Sequence, residues 1–220
     1  MDEMLRYHLP ESPAAFLTKD DFARIQKRRG AHLPHWTANA AVYHVIFRLH
    51  DSIPQTILAE LAAERERLRH KLSQPGNRLT AHERRILGLQ YSEMVDRYLD
   101  AGHGSCRLKD ARIADLVANA LTFFEGSRYT LFAWCVMPNH VHVVVQPIGN
   151  HTLPDILHSW KSYSSKLANR MLGATGKFWR EEYFDRILRD DEELGRTIEY
   201  VFENPGKVGF SSWRWRGKKE

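Results

Sequence analysis

Cysteine is scarce in this chain of 220 residues: Cys106 and Cys135 are the only two. That excludes a disulfide-stapled scaffold and a four-cysteine zinc site, and it suits a reducing cytosol. No apolar run approaches the roughly 20 residues that a spanning helix needs, so no membrane partner is expected. The opening stretch, MDEMLRYHLPESP, places acid first and has no apolar segment, so a cleaved leader is not expected either. Nothing repeats at a fixed period, and no long low-complexity tract occurs. The Gly-x-Ser-x-Gly elbow of serine hydrolases is missing. Gly102-His103-Gly104 lacks the strand and helix flanks that a phosphate-cradling loop requires.

What remains is a chain able to bury a core, with 43% hydrophobic and 11% aromatic residues. Lys and Arg outnumber Asp and Glu by 32 to 27, a mild bias towards a polyanionic partner. The distribution says more than the sum. Arg24, Lys27, Arg28 and Arg29 cluster early, and residues 207–220 form a basic tail in which Trp213 and Trp215 are interleaved with Arg214 and Arg216. Cations beside indoles suit contact with a nucleic-acid backbone and its bases. The last four residues read as a frayed, solvated end.

The chain reads as one domain, 1–220, with a helical insert over 51–105. Residues 42–49, VYHVIFRL, read as a strand. After Pro54, Leu58, Leu61, Leu68 and Leu72 repeat at helical spacing, and Gln74-Pro75-Gly76-Asn77 ends that helix. Thr80 with Glu83 forms a capping box for a second helix reaching about Leu99. A third helix is expected over 110–125, followed by a strand pair, 129–137 and 140–147, turning at Pro138-Asn139. A helix over 153–172 ends at Gly173, a fourth strand is expected near 184–188, and a last helix over 191–203 stops before Pro205. Without the insert the order is β-α-β-β-α-β-α. That is an α+β fold: a ferredoxin-like split βαβ core with an antiparallel sheet, plus a C-terminal helix.

His140 and His142 stand one residue apart in a strand, so both imidazoles share one face while Val141, Val143 and Val145 take the other. Two imidazoles so placed can converge on one divalent cation. Histidine has no hydrophobic reason to occur twice on one face of an apolar strand. His44, in the first strand, reads as an ordinary half-buried residue, and Cys135, Trp134, Trp160 and Trp179 as core. Two tyrosines are candidate nucleophiles: Tyr163, in KSYSSK, and Tyr200, in TIEYVFENP. A phenol attacks phosphorus well only where a metal polarises the phosphate or a base assists. Tyr200 has Asn204 one helical turn on, and an amide oxygen there can serve as a third metal ligand.

WCVMPNHVHVVV at 134–145, FWREEYFD at 178–185 and EYVFENP at 199–205 resemble the REP-associated tyrosine transposases. These belong to the single-tyrosine HUH transposases of small insertion sequences. VYHVIFRL and Lys161-Ser162-Tyr163 add to the likeness, which runs through most of 36–210 and is thinnest in the insert. Gly206 departs from the apolar residue usual after Asn-Pro. The resemblance implies that His140, His142 and Asn204 hold a divalent metal, Mg²⁺ or Mn²⁺, and that Tyr200 is the nucleophile. It implies cleavage of single-stranded DNA hairpins through a 5′-phosphotyrosine and a free 3′-hydroxyl, then strand rejoining, by a bacterial cytoplasmic protein acting at the nucleoid as monomer or homodimer. Lys161 and Lys166 are expected to meet phosphate or DNA backbone, and Trp213, Arg214 and Trp215, with Trp36, to contact the hairpin.

Two alternatives belong to other classes. A non-catalytic nucleic-acid-binding module of the same fold reads single strands with aromatics on its central strands, where this chain holds His140 and His142. A replication initiator or relaxase usually carries paired tyrosines or a longer chain.

Overall fold

Strand alternation in the sequence is realised as a sheet with two different faces. The computed structural model describes residues 26–29, 34–37, 41–73 and 95–219. A two-stranded antiparallel ribbon is formed by β1 (Gln26–Arg29) and β2 (Pro34–Thr37). The main sheet uses β3 (Val42–Arg48), β4 (Tyr129–Val136), β5 (His140–Pro147), β6 (Phe184–Leu188) and β7 (Arg216–Lys218). Their spatial order is β6-β3-β5-β4-β7, antiparallel throughout. The first four strands have the split βαβ order, with β3 between β6 and β5. The expected α+β, ferredoxin-like core is what forms.

Helix α1 (Gln55–Ser73) lies between β3 and the rest of the sheet in sequence; α2 (Ala111–Thr122) and α3 (Leu153–Leu172) are the two crossover helices, and α4 (Asp191–Lys207) follows β6. The starts of α2, α3 and α4 are capped by side chains that their sequences supply. Asp110 accepts from the Arg112 N–H, Thr152 from Asp155, and Asp190 from Glu193, satisfying amides that the first turn leaves open. Gly173 closes α3 in the left-handed conformation, φ 60°.

One sheet face carries most of the apolar core. Tyr43, Val45 and Phe47 of β3 and Val141, Val143 and Val145 of β5 pack there against Ile113, Val117 and Leu121 of α2 and Ile156, Leu157 and Trp160 of α3. On β4 the parity changes at a bulge between Leu131 and Ala133. Tyr129 and Leu131 serve this face before it, Trp134 and Val136 after it. Phe132, the inserted residue, joins Val42, Ala133, Cys135, Val144 and Leu188 on the opposite face, beneath Leu194 and Val201 of α4. Trp134, Trp160, Trp179 and Cys135 are buried, as the sequence suggests.

Three features depart from expectation. Helix α4 runs through Pro205 to Lys207 instead of stopping at 203. Proline there forfeits only its own bond to the Val201 carbonyl, and both Asn204 and Pro205 are buried, so packing outweighs the local preference. Residues 217 and 218, read as frayed, form β7 on the β4 edge. Gly217 suits that site because a Cβ would lie 2.7 Å from Trp134 Nε1. The ribbon β1–β2 has no counterpart in the sequence reading; Arg24, the Thr80–Glu83 capping box and the Gln74–Asn77 stop lie outside the described residues.

The chain divides into two compact units, one of them Asp51–Cys106. Within that unit α1 opens after Pro54, residues 95–100 are helical, and Ile53, Val95 and Leu99 are buried. Its ends meet at Asp51, whose carboxylate accepts from the Ser105 N–H at 2.9 Å and the Ser105 hydroxyl at 3.3 Å. Gly104 approaches the Asp51 carbonyl so closely that a Cβ would stand 2.4 Å from its oxygen. Among the described residues no helix is long and apolar enough to cross a membrane.

Candidate active site

The face of the sheet opposite α2 and α3 carries three imidazoles under helix α4. Strand parity places His140 and His142 of β5 there, away from the apolar valines. Antiparallel pairing sets β3 beside β5, with His44 opposite Val144 and Ile46 opposite His142, and so brings the His44 ring against that of His142. Helix α4 turns Leu194, Thr197, Val201 and Asn204 inward at three- and four-residue spacing, and Tyr200 lies half-buried at the rim of that stripe.

These placements bring four sequence-expected residues together. His140 Nε2 and His142 Nε2 are 2.9 Å apart, and the Asn204 amide nitrogen is 2.9 Å from His142 Nε2. A half-turn of that amide presents its oxygen at the same point. The Tyr200 ring stands edge-on to His142, 5.9 Å between centroids, with the Lys207 ammonium 4.6 Å from the tyrosine centroid. Both histidines and Asn204 are at most 1% exposed.

Burial holds all three imidazoles neutral. It lowers His140 well below its ordinary value, aided by neighbouring His142, and lowers His142 to about 3. His44 is lowered well below 6.5 by burial, then by His142 and Arg186. Neutral rings keep a lone pair on one nitrogen, the form a metal requires. His140 Nδ1 lies 2.7 Å from Asn139 Oδ1, so its proton sits on Nδ1 and Nε2 faces the site bare.

Two ring nitrogens 2.9 Å apart need either a proton or a cation between them. That separation matches two neighbouring ligands of an octahedral cation at bond lengths of about 2.1 Å. The donor set of two imidazoles and an amide therefore fits one divalent ion. Among the described residues no group of three or more His, Cys, Asp or Glu side chains is arrayed for a metal, so this set depends on Asn204.

The other expected residues lie elsewhere. Helix α3 covers the opposite face of the sheet, and Lys161 on it donates to the Glu181 carbonyl at 2.6 Å. Burial lowers Lys161 to about 8, with Glu181 opposing and Arg48 reinforcing the shift. Lys166 is exposed on the same helix. Tyr163, also on α3, is 54% exposed and away from the histidines. The Trp213 indole donates to the Val136 carbonyl at 2.6 Å, while Arg214 and Trp215 both bond the Asp115 carboxylate. Trp36 lies in β2, its side chain outside the described residues. His44 is the residue that sequence reasoning passed over. Its signal was its position on a central strand, on the same face as the later pair, visible only once β3 is known to lie beside β5.

Residues 110–204, which hold the two histidines, the tyrosine and the asparagine, match the family model of IS200-like transposases. The chain is also similar to a Haemophilus influenzae protein described as a REP-associated tyrosine transposase, 24% identical over 96 residues that cover 39% of this chain and 54% of that one. The resemblance read from the sequence is borne out by family and relative alike. This chain matches about half the length of that relative. Among solved structures, a REP-associated tyrosine transposase bound to a REP hairpin superposes with a TM-score of 0.46 at 14% identity, over 85% of this chain and 82% of that one. A Deinococcus radiodurans protein described as a transposase gives 0.30 at 15% identity, over 81% and 97%. Both superpositions are too loose to transfer a residue role.

Proposed function

We propose that this protein is a transposase that cuts and rejoins single-stranded DNA at hairpins, with Tyr200 as nucleophile and a divalent cation held by His140, His142 and Asn204. The observation that carries this reading is the convergence of two imidazole nitrogens and one amide beside a tyrosine, inside the stretch that matches IS200-like transposases.

The cation, when bound, supplies charge that offsets the negative charge growing on the phosphate oxygens. Imidazole ligands favour Mn²⁺ at least as much as Mg²⁺. The Tyr200 hydroxyl attacks phosphorus; its O–P bond forms as the bond to the 3′ oxygen breaks, and the departing 3′-hydroxyl carries away one proton in place of the phenolic one. The product is a 5′-phosphotyrosine with the phosphodiester energy retained, so a second 3′-hydroxyl reverses the step without a high-energy cofactor. Lys207, over the tyrosine ring, favours negative charge developing on the phenol. Helix α4 supplies orientation, since nucleophile and amide ligand share one rigid turn.

The test uses labelled single-stranded hairpins from the flanks of the gene, incubated with protein and Mn²⁺ and run on a denaturing gel. A covalent protein–DNA band lost in Tyr200→Phe, by about a thousandfold or more, and retained in Tyr163→Phe is the expected outcome. His140→Ala is expected to abolish the band while leaving hairpin binding largely intact. Tight hairpin binding with no covalent band under any condition overturns the catalytic reading in favour of a binding module.

A further inference from the structure

His44 has no place in the chemistry proposed above, yet it lies within hydrogen-bond distance of a proposed metal ligand. Its Nε2 lies 3.2 Å from His142 Nδ1, and the two rings stack at 12° with centroids 5.5 Å apart. It also meets the Tyr200 ring edge-on at 6.2 Å.

The proton count along this row of rings is restrictive. His142 is neutral and has one N–H. With that proton on Nε2, it bonds the bare Nε2 of His140, and His142 Nδ1 accepts from His44 Nε2–H. A cation at the two Nε2 atoms cannot coexist with that proton. His142 must then carry its proton on Nδ1, inside a buried site, where its hydrogen-bond partner among the described residues is His44 Nε2. A buried N–H without an acceptor is strongly disfavoured. His44 can accept it because its own proton can reside on Nδ1; both rings then change tautomer together, the proton displaced from His142 Nε2 being released and one taken up at His44 Nδ1, so the pair's net proton count is unchanged.

We infer that His44 is a positioning residue that fixes His142 in its metal-ready tautomer, as Asn139 does for His140 through its side-chain oxygen. The inference rests on the cation site proposed above. Outer partners of ligating histidines govern affinity because they orient the ring and settle its proton. His44 does so from a neighbouring strand, so the sheet register itself is part of the metal site.

The experiment titrates Mn²⁺ into full-length protein without DNA, reading free aqueous Mn²⁺ by electron paramagnetic resonance. His44→Phe keeps a ring against His142 and Tyr200 and deletes the acceptor; it is expected to weaken Mn²⁺ binding by about ten- to a hundredfold. His44→Gln places an amide oxygen near the Nε2 position and is expected to recover most of that loss. Melting temperatures establish that both variants are folded, and should either not fold, the other still decides against wild type. Binding by His44→Phe within twofold of wild type overturns the inference, as does a His44→Gln no better than His44→Phe. Wild-type protein that binds no Mn²⁺ overturns the cation site as well, whereas a missing covalent band with Mn²⁺ bound counts against the cleavage reading alone.

Discussion

The two faces of the central sheet are built from alternate residues of the same strands, and both are largely buried. On the face towards α2 and α3, three aromatic polar groups are matched within the fold, while Trp134 Nε1 is buried without a hydrogen-bond partner among the described residues. Trp160 Nε1 donates to the Tyr129 hydroxyl at 2.9 Å, that hydroxyl donates to the Leu121 carbonyl at 2.8 Å, and Trp179 Nε1 donates to Ser164 Oγ at 2.9 Å. On the face towards α4, three imidazoles and an amide crowd one spot. Burial is thus no guide to role. One face links aromatic side chains through their polar ends and supplies packing; the other concentrates groups whose complement, on the reading proposed above, is a cation.

Breaking the first face should leave the second intact per folded molecule. Trp160→Ala removes a ring that packs on Tyr129, 5.1 Å between centroids, and on Phe47 at 6.4 Å. The expected loss is about 3–5 kcal/mol in urea unfolding, with Mn²⁺ affinity unchanged below the transition. Gly217→Ala presses on the Trp134 ring from the sheet edge and is expected to lose about 1–3 kcal/mol by the same measurement.

The smallest effect sharpens the contrast through pH. Burial pushes the Glu125 carboxyl up from 4.5 to about 7, against the opposing pull of the Leu131 N–H and Lys219. Between those two values the folded protein holds a proton that the unfolded chain releases, so this group lowers stability as pH rises through the window. Glu125→Gln should therefore flatten the fall in stability between about pH 4.5 and about pH 7, read as urea midpoints at each pH.

Much of this architecture was legible in residue order. The alternation in HVHVVVQP and the capped helices gave β5, α2 and α3 nearly to the residue, and the same strand parity separated the histidines from the valines. What escaped depends on partners distant in sequence. The three residues of β7, Arg-Gly-Lys, have no strand character of their own and pair because the β4 edge is open to them. The bulge at Phe132 leaves no mark in an apolar run, since either face accepts phenylalanine. His44 read as an ordinary strand residue because its meaning comes from β5, nearly a hundred residues later. Pro205 broke a local rule that burial of α4 overrides.

Tyr200 and Asn204 sit one turn apart on a single rod. The rod is fastened at both ends: Glu193 pairs with Arg186 near its start, and Arg216 bonds the Phe202 carbonyl near its finish. Like two prongs of one plug they share a mount, so whatever shifts that turn of α4 carries both backbones with it.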